Sequence, residues 1–301
     1  MSTMRSLLFV PGDSEKKLAK SEGIPADVLI LDLEDSVAPG NKIPARGLVC
    51  EYLSSRPADR RQQVWVRINP LDHAEAGADL SAVIPAGPDG IMLPKTRSPD
   101  DVELLGRRIG TYEAEHEIPI GSTRILPVAT ETPASLFTLG DYSRAGKRLA
   151  GLTWGAEDLS VAVGATANRE RDGRWTFPYQ LVRSLCLFAA HAAGVEAIDT
   201  LYADFSNTEG LRASCDEARR DGFSGKLAIH PAQVEVINEA FAPSAGEIER
   251  ARRIVALFEA NPGSGTLALD GVMLDLPHLT QGKKILAAAG ALHADFDEAT
   301  P

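Results

Sequence analysis

The sequence predicts a (β/α)₈ barrel, the TIM-barrel fold, followed by a helical appendage at the C-terminal end. Two observations favour this fold class. Eight short apolar runs recur along the chain, and most of the intervals between them have room for one helix, as parallel β-α-β crossovers require. Nearly every run also stops at a polar or charged residue, which is typical of strands whose carboxyl ends share one barrel mouth.

The predicted strands are rich in aliphatic residues, which is typical of strands buried on both faces. Signals for the first residues of helices occur between the predicted strands. Asp13 or Ser14 is the expected N-cap of one helix, and Pro99 is expected at the first position of another. The rival fold, an open doubly wound sheet, would need a Gly-rich phosphate loop after an early strand, and residues 9–14 are not one. The predicted strands are residues 6–12, 28–34, 64–69, 90–95, 125–133, 149–159, 197–201 and 226–230.

Two segments fall outside the repeat. The polar residues 162–178 predict a long loop after the sixth strand, on the side of the barrel where active sites form. Residues 1–242 would form the catalytic barrel and residues 243–301 the appendage, built from two helices around a Gly-rich hairpin. Within the appendage, residues 271–278 are more apolar than an exposed tail should be, which favours packing on a neighbouring subunit. The alternative is an active monomer whose appendage covers its own barrel.

Composition excludes some classes of function. The chain has 31 Lys and Arg against 42 Asp and Glu, a net charge of −11, which disfavours nucleic acid as a partner. Three cysteines without paired or metal-type spacing predict free thiols in a reducing compartment. The first residues lack a signal-peptide pattern and no apolar run could span a bilayer, so we expect a cytoplasmic protein without a membrane partner.

Two acids end apolar runs in the middle of the chain and suggest a metal site. Glu131 and Asp158 are poorly placed for packing, since an unpaired buried carboxylate is costly, but well placed to hold a hard cation. Mg²⁺ needs only one or two carboxylates and completes its octahedron with water and substrate oxygens. The alternative is that each acid caps the helix that follows it.

Arg67 and Lys95 are the cations of the predicted mouth. Arg67 lies inside an apolar strand and needs an anion, either a protein carboxylate such as Glu34 or Asp35 or a substrate carboxylate, and both can apply together. Lys95 could form a Schiff base. We favour an orienting or anion-binding role, because a metal at the two carboxylates would already serve as electron sink.

An ordered set of motifs resembles the citrate lyase beta-subunit-like family, in the group that includes malyl-CoA and citramalyl-CoA lyases. Each motif is weak alone, but the set runs through nearly the whole chain in the family's order. The motifs are RSLLFVPG (5–12), LDLEDSV (31–37), VRIN (66–69), MLPK (92–95), TET (130–132), GAEDL (155–159), GKLAIHP (225–231) and DGVMLD (270–275).

The resemblance implies roles for individual residues. Glu131 and Asp158 would bind Mg²⁺, Arg67 would contact substrate oxygens, and Glu34 and Asp35 would support the site. In the CoA lyases of the group an aspartate at the position of Asp275 reaches the active site of a neighbouring subunit, which implies a homo-oligomer, a trimer or a dimer of trimers. A neutral Asp275 could then protonate an enolate carbon.

The activity that the resemblance implies is Mg²⁺-dependent carbon–carbon cleavage. The substrate would be a short 3-hydroxyacyl-CoA with a carboxylate, of the citramalyl-CoA or malyl-CoA type, and the products a 2-oxo acid and acetyl-CoA. Three alternatives stay open: a citrate lyase beta subunit acting on citryl-acyl-carrier protein, a malate synthase- or thioesterase-like relative, and a non-catalytic ligand-binding scaffold.

Overall fold

The computed structural model describes residues 4–57, 60 and 62–297, with the side chains as far as residue 290. The described chain divides into two compact units. One is Met4–Ala240, and the other begins at Phe241 and contains the C-terminal helices and hairpin.

Parallel strands in the first unit form the predicted barrel. The sheet order is β5-β4-β3-β2-β1-β8-β7-β6, and parallel bridges from Ile125 to Leu149 and from Val128 to Thr153 join β5 to β6. The (β/α)₈ fold is therefore confirmed. Each of the eight strands ends earlier than predicted, because the residues that follow it belong to the loops at the carboxyl ends of the strands. The strands are β1 (Ser6–Pro11), β2 (Val28–Asp32), β3 (Gln63–Arg67), β4 (Gly90–Leu93), β5 (Arg124–Pro127), β6 (Gly151–Thr153), β7 (Glu196–Asp199) and β8 (Gly225–Ala228).

Helices alternate with the strands. Pro99 begins the helix after β4, as predicted, and the side chain of its N-cap Ser98 accepts a hydrogen bond from the Asp100 backbone. The crossover after β5 is a 3₁₀ helix, Pro133–Arg144. The α-helices are α1 (Glu15–Ser21), α2 (Lys42–Ser55), α3 (Ala76–Val83), α4 (Pro99–Glu115), α5 (Glu157–Ala162), α6 (Phe177–Ala193), α7 (Thr208–Asp221) and α8 (Ala232–Phe241), with short 3₁₀ turns at Pro39–Asn41 and Ile84–Ala86.

Large apolar side chains fill the barrel interior. Trp65 of β3 is buried at its centre, and the neighbouring strand makes room for it with Gly90. A Cβ at Gly90 would come 2.5 Å from the indole ring, closer than any side chain tolerates. The interior cluster comprises Met4, Leu7, Val28, Ile30, Trp65, Met92, Leu126, Val128, Ile198 and Leu227.

A buried ion pair lies at the end of the barrel opposite the mouth. Arg148, just before β6, donates to both carboxylate oxygens of Glu113 at 2.8 and 2.5 Å. The backbone N–H groups of Gly121 and Thr123 donate to the same carboxylate at 2.8 and 3.0 Å. Burial alone would raise the pKa of Glu113, but these four hydrogen bonds outweigh it and lower the pKa to about 2.

This pair predicts a defined loss of stability in acid. Because the folded-state pKa lies below the unfolded value, the stabilisation is complete above pH 4.5 and fades as the pH falls toward 2. We expect Glu113→Gln to lower the free energy of unfolding by roughly 3 kcal/mol at pH 7 and by less than half of that at pH 3. Urea unfolding at both pH values measures the difference.

A matched control is Glu103→Gln on the same helix, where Glu103 forms an exposed pair with Arg107 at 3.8 Å. Exposed pairs of this kind contribute about 0.5 kcal/mol or less. An equal loss for Glu113→Gln at pH 3 and pH 7 would contradict the assignment.

The C-terminal unit consists of α9 (Ala245–Glu259), a hairpin of β9 (Thr266–Leu269) and β10 (Val272–Asp275), and α10 (Leu276–Asp297). The hairpin turn is Asp270–Gly271, and both residues have positive φ, 52° and 79°. An Asp-Gly pair suits such a two-residue turn. The unit has its own small core of Ile254, Phe258 and Leu274.

Cys50, Cys186 and Cys215 are free thiols, as predicted, and burial raises the pKa of each above its usual range. Of the helices that the structure describes, none combines the length and the apolar composition needed to cross a bilayer.

Candidate active site

Two strand ends are joined by a buried arginine–carboxylate fork. Arg67, at the end of β3, donates from Nε and from a terminal nitrogen to the two oxygens of Asp32 at 2.7 and 2.6 Å. The two residues are register partners in the sheet. Burial opposes a charged carboxyl, but the hydrogen bonds from Arg67 hold the pKa of Asp32 below its usual range. The fork fixes the guanidinium at the mouth, stacked over the Phe9 ring at 4.7 Å.

Glu34 is the second carboxylate beside Arg67. Its Oε2 lies 2.9 Å from a guanidinium nitrogen, and its Oε1 accepts from the Lys95 ammonium at 2.5 Å. Burial raises the pKa of Glu34 despite these two cations. Asp35 is mostly exposed and more distant, 3.6 Å from Lys95 and 3.9 Å from Arg67.

Lys42, the first residue of α2, holds the backbone that follows β2. Its buried ammonium donates to the carbonyls of Leu33 and Glu34, both at 2.7 Å, and to Asn69 Oδ1 at 3.1 Å. These bonds fix the backbone that carries Glu34 without contacting its carboxylate.

Lys95 connects the supporting acids with the predicted metal ligands. Its backbone is in the left-handed region, with φ 51°, which is rare for residues other than glycine and common at functional sites. This conformation lets its N–H donate to Glu131 Oε2 at 2.5 Å, while its ammonium lies 3.9 Å from Asp158. Lys95 therefore contacts Glu34, which lies beside Arg67, as well as the two predicted metal ligands.

Glu131 and Asp158 lie side by side. Glu131 is 7% exposed and follows β5, whereas Asp158 lies in the first turn of α5 with its side chain 40% exposed. The predicted sixth strand, residues 149–159, was thus too long, since β6 ends at Thr153. Neither acid is an N-cap, because Thr132 and Ala156 occupy those positions. Asp158, in the first turn of α5, nevertheless interacts favourably with the N-terminus of that helix.

The electrostatics of this pair fit a divalent cation. Burial, together with the charges of Asp158 and Glu34, raises the pKa of Glu131 to about 8. The Asp158 carboxyl is within hydrogen-bonding reach of Glu131, so two acids face one another where a cation would remove their repulsion. No set of three or more His, Cys, Asp or Glu side chains in the described residues could hold a metal ion. Two carboxylates with open positions suit Mg²⁺, which retains water and substrate ligands.

Gly155 makes room for the buried acid. A Cβ at this position would come 2.7 Å from Glu131 Cγ. We expect Gly155→Ala to displace the Glu131 carboxylate and to weaken Mg²⁺ binding about tenfold or more. Changes to residues that orient a metal ligand typically lower metal affinity by about that factor. Isothermal titration with Mg²⁺ measures the change.

Gly140→Ala is the matched control, since nothing lies within 4 Å of a Cβ there and its φ is not positive. Equal Mg²⁺ affinity in the Gly155→Ala and wild-type proteins would show that Glu131 tolerates the methyl group and does not depend on this space.

The structure brings together most of the predicted site residues. The residues brought together at the carboxyl ends of strands β2 to β6, or in the segments that directly follow them, are Arg67, Glu34, Asp35, Lys95, Glu131 and Asp158. Asp275 belongs to the C-terminal unit, where its carboxylate pairs with His278 Nδ1 at 2.5 Å.

Two contributions were missed from the sequence. Asp32, and not Glu34 or Asp35, makes the bidentate contact with Arg67, and the signal that could have found it is the register between neighbouring strands. Lys42 was also missed, because a lysine in the first turn of an amphipathic helix has no sequence feature that predicts a buried ammonium.

A buried network joins the ends of β6 and β7 to β8 and α6. Asp199, at the end of β7, accepts from Trp154 Nε1 and from the Lys226 ammonium, both at 2.7 Å, and Arg183 lies 3.4 Å away. These cations hold the pKa of the Asp199 carboxyl below its usual range, although burial opposes them. The network fixes Trp154, which lies in the chain between β6 and Asp158 of α5.

The barrel and its charged mouth define a (β/α)₈ enzyme, since active sites of this fold form at the carboxyl ends of the strands. The chain belongs to the HpcH/HpaI aldolase/citrate lyase family, whose pattern matches residues 5–231. The predicted family and the expectation of an enzyme are therefore confirmed.

Relatives with two different activities are similarly close to the chain. A (3S)-malyl-CoA thioesterase of Cereibacter sphaeroides is 35% identical over 292 residues, 96% of each chain. A citrate lyase subunit beta of Haemophilus influenzae is 36% identical over 291 residues, 96% of this chain and 98% of the relative.

Solved structures agree with the fold. The CitE protein of Mycobacterium tuberculosis, in complex with magnesium, acetoacetate and coenzyme A, has a TM-score of 0.78 at 32% identity, covering 96% of this chain and 99% of that one. A citrate lyase beta subunit from the same organism, complexed with oxaloacetate and magnesium, has a TM-score of 0.68 at 32% identity, covering 80% and 98%.

Proposed function

We propose that the chain is a magnesium-dependent carbon–carbon lyase. The substrate is a short 3-hydroxyacyl-CoA with a carboxylate on the hydroxylated carbon, of the citramalyl-CoA or malyl-CoA type. The products are a 2-oxo acid and acetyl-CoA. The observation that carries the proposal is the facing pair of Glu131 and Asp158 at the mouth, next to the anchored Arg67. Lyase chemistry and magnesium are supported by the family and by the magnesium complexes of its M. tuberculosis members.

Different residues of the site would bind the metal ion and the substrate. Glu131 and Asp158 hold Mg²⁺, which when bound supplies Lewis acidity and a template for the hydroxyl and carboxylate oxygens. Asp32 uses only two of the five N–H groups of Arg67, which leaves donors on both terminal nitrogens for substrate oxygens. Lys95 keeps Glu131 in place through its backbone and balances the charge of Glu34 through its ammonium.

The bond changes are balanced without an added oxidant or reductant. The substrate hydroxyl loses its proton, its oxygen forms the carbonyl of the 2-oxo acid, and the carbon–carbon bond breaks. The electron pair of that bond passes to the thioester as an enolate, whose carbon then takes a proton. Arg67 would stabilise charge that develops on oxygen during cleavage, and Asp275 from a neighbouring subunit would supply the proton to carbon.

Two finer alternatives concern the carrier and the fate of the thioester. The citrate lyase relatives support citryl-acyl-carrier protein as the substrate, and the thioesterase relative supports hydrolysis of a malyl thioester. Hydrolysis would release free CoA and an intact hydroxy acid, whereas cleavage releases a 2-oxo acid and leaves the thioester in place.

An assay with a small panel of substrates tests the proposal. Citramalyl-CoA, malyl-CoA and citryl-CoA are incubated with the enzyme and MgCl₂. The 2-oxo acid is followed with a coupled dehydrogenase, and free thiol with a thiol reagent. We expect 2-oxo acid without free thiol from at least one substrate. Free thiol without 2-oxo acid would favour hydrolysis, and neither product from any ester would contradict both activities.

A further inference from the structure

The loop between α5 and α6 is folded into a tight hairpin over the mouth. Arg169 and Trp175 form an antiparallel bridge, and the Thr176 N–H donates to the Asn168 carbonyl at 3.0 Å. The Asn168 side chain donates to Glu157 Oε2 at 3.1 Å. Since Glu157 is next to Asp158, the hairpin is attached directly beside the predicted metal ligands.

Within this hairpin, Arg169 is a cation without a counter-ion. Its guanidinium lies flat on the Trp175 ring, 3.6 Å from the centroid, and one terminal nitrogen donates to the Gly173 carbonyl at 2.8 Å. Arg169 forms no ion pair within the described part of the chain. By contrast, Arg67 and Arg148, which are also shielded from water, are each held by a carboxylate.

The two carboxylates that act on Arg169 through charge already have other hydrogen-bond partners. The charged forms of Tyr202, Glu157 and Asp199 act on Arg169. Of the two carboxylates, Glu157 accepts from Asn168, and Asp199 accepts from Lys226 and Trp154. Burial lowers the pKa of Arg169, and the charges of Tyr202, Glu157 and Asp199 oppose this shift without cancelling it. A guanidinium that is partly removed from water and left unpaired gains most from an anion that arrives with a ligand.

Aromatic packing fixes the direction of this cation. Trp175 packs edge-on against Trp154 at 5.0 Å between centroids, and Trp154 is itself fixed by its hydrogen bond to Asp199. The Gln180 side chain donates to the Trp175 carbonyl at 2.5 Å, which ties the hairpin to α6. The guanidinium is thus preorganised at the mouth and does not have to be ordered on binding.

We infer that Arg169, stacked on Trp175, is an anion-binding subsite that receives an oxyanion group of the ligand bound at the mouth, either a phosphate of the CoA moiety or a carboxylate of the acyl moiety. This inference rests on the proposed function, because it takes its ligand from that reaction. The planar fork of the guanidinium suits both groups, since each presents two oxygens to it.

Titration calorimetry with Arg169→Gln tests the subsite without turnover. The probes are CoA, pantetheine and pyruvate, each with MgCl₂. The matched control is Arg174→Gln, in the same hairpin, where the guanidinium is 74% exposed and already paired with Asp172 at 2.8 Å. Arg169→Lys keeps the charge but loses the fork. Circular dichroism melts confirm that each variant is folded.

We expect Arg169→Gln to weaken one ligand roughly ten- to hundredfold, Arg169→Lys to weaken it less, and Arg174→Gln to leave it unchanged. Weaker CoA with unchanged pantetheine assigns the subsite to a carrier phosphate, and weaker pyruvate assigns it to the acyl carboxylate. Wild-type affinity of folded Arg169→Gln for all three probes overturns the inference and leaves the lyase proposal intact. A wild-type protein that binds none of the probes overturns both.

Discussion

Glu131→Gln and Asp158→Asn are each expected to lower kcat about a thousandfold, the scale seen when a preorganised electrostatic contact in an active site is removed. Each change removes one negative charge from the pair that would hold Mg²⁺, and the amide that replaces it is a weaker ligand for a hard cation. Activity assays across a Mg²⁺ titration, with calorimetric measurement of Mg²⁺ affinity, check both effects.

The matched control is Glu157→Gln, which alters the neighbouring carboxylate of the same helix turn. Glu157 is bonded to Asn168 and is not predicted to hold the metal. We expect Glu157→Gln to keep the Mg²⁺ affinity of the wild type. Retained activity in EDTA, or unchanged Mg²⁺ affinity in both the Glu131 and Asp158 variants, would contradict the assignment.

Mixing two inactive proteins, Glu131→Gln and Asp275→Ala, is expected to restore activity if Asp275 acts on a neighbouring subunit. In a closed ring, each site would combine the barrel of one subunit with Asp275 of another. An equal mixture then yields intact sites in about a quarter of cases, since closed symmetric assemblies repeat one interface. Turnover is measured after subunit exchange has been confirmed with differently tagged chains.

Mixing Glu131→Gln with Asp158→Asn is the control, because each barrel then keeps one defect in its own metal pair under either arrangement. We expect no recovery from that mixture. If Asp275 acts within its own chain, the first mixture also stays inactive, and absence of recovery after confirmed exchange would rule out donation between subunits.

The fold could be predicted because strand and helix segments alternate in a regular order. In β2 the residues before Asp32 are all aliphatic, and the chain between such strands has the length of a crossover. The strand ends were less predictable. Residues 149–159 form one largely apolar run, but only three of them are in β6, because α5 begins at Glu157.

The position of the site was predictable from polar residues after strands, but the pairing within it was not. Asp32, Glu34 and Asp35 are three acids within four residues, and all could reach Arg67 on chemical grounds. Only the strand register, in which Asp32 is the direct partner of Arg67, decides which one takes the fork. The left-handed backbone of Lys95 was equally hidden, because lysine rarely adopts it.

The most direct test of the metal site is a crystal structure grown with Mn²⁺ in place of Mg²⁺, with anomalous scattering recorded to locate the ion. We predict one strong peak between Glu131 and Asp158, with an oxygen of each carboxylate at roughly 2.1 Å, the coordination distance of a Mg²⁺-type site. No anomalous peak between these two carboxylates in crystals saturated with Mn²⁺, or a peak bound by other side chains, would contradict the account.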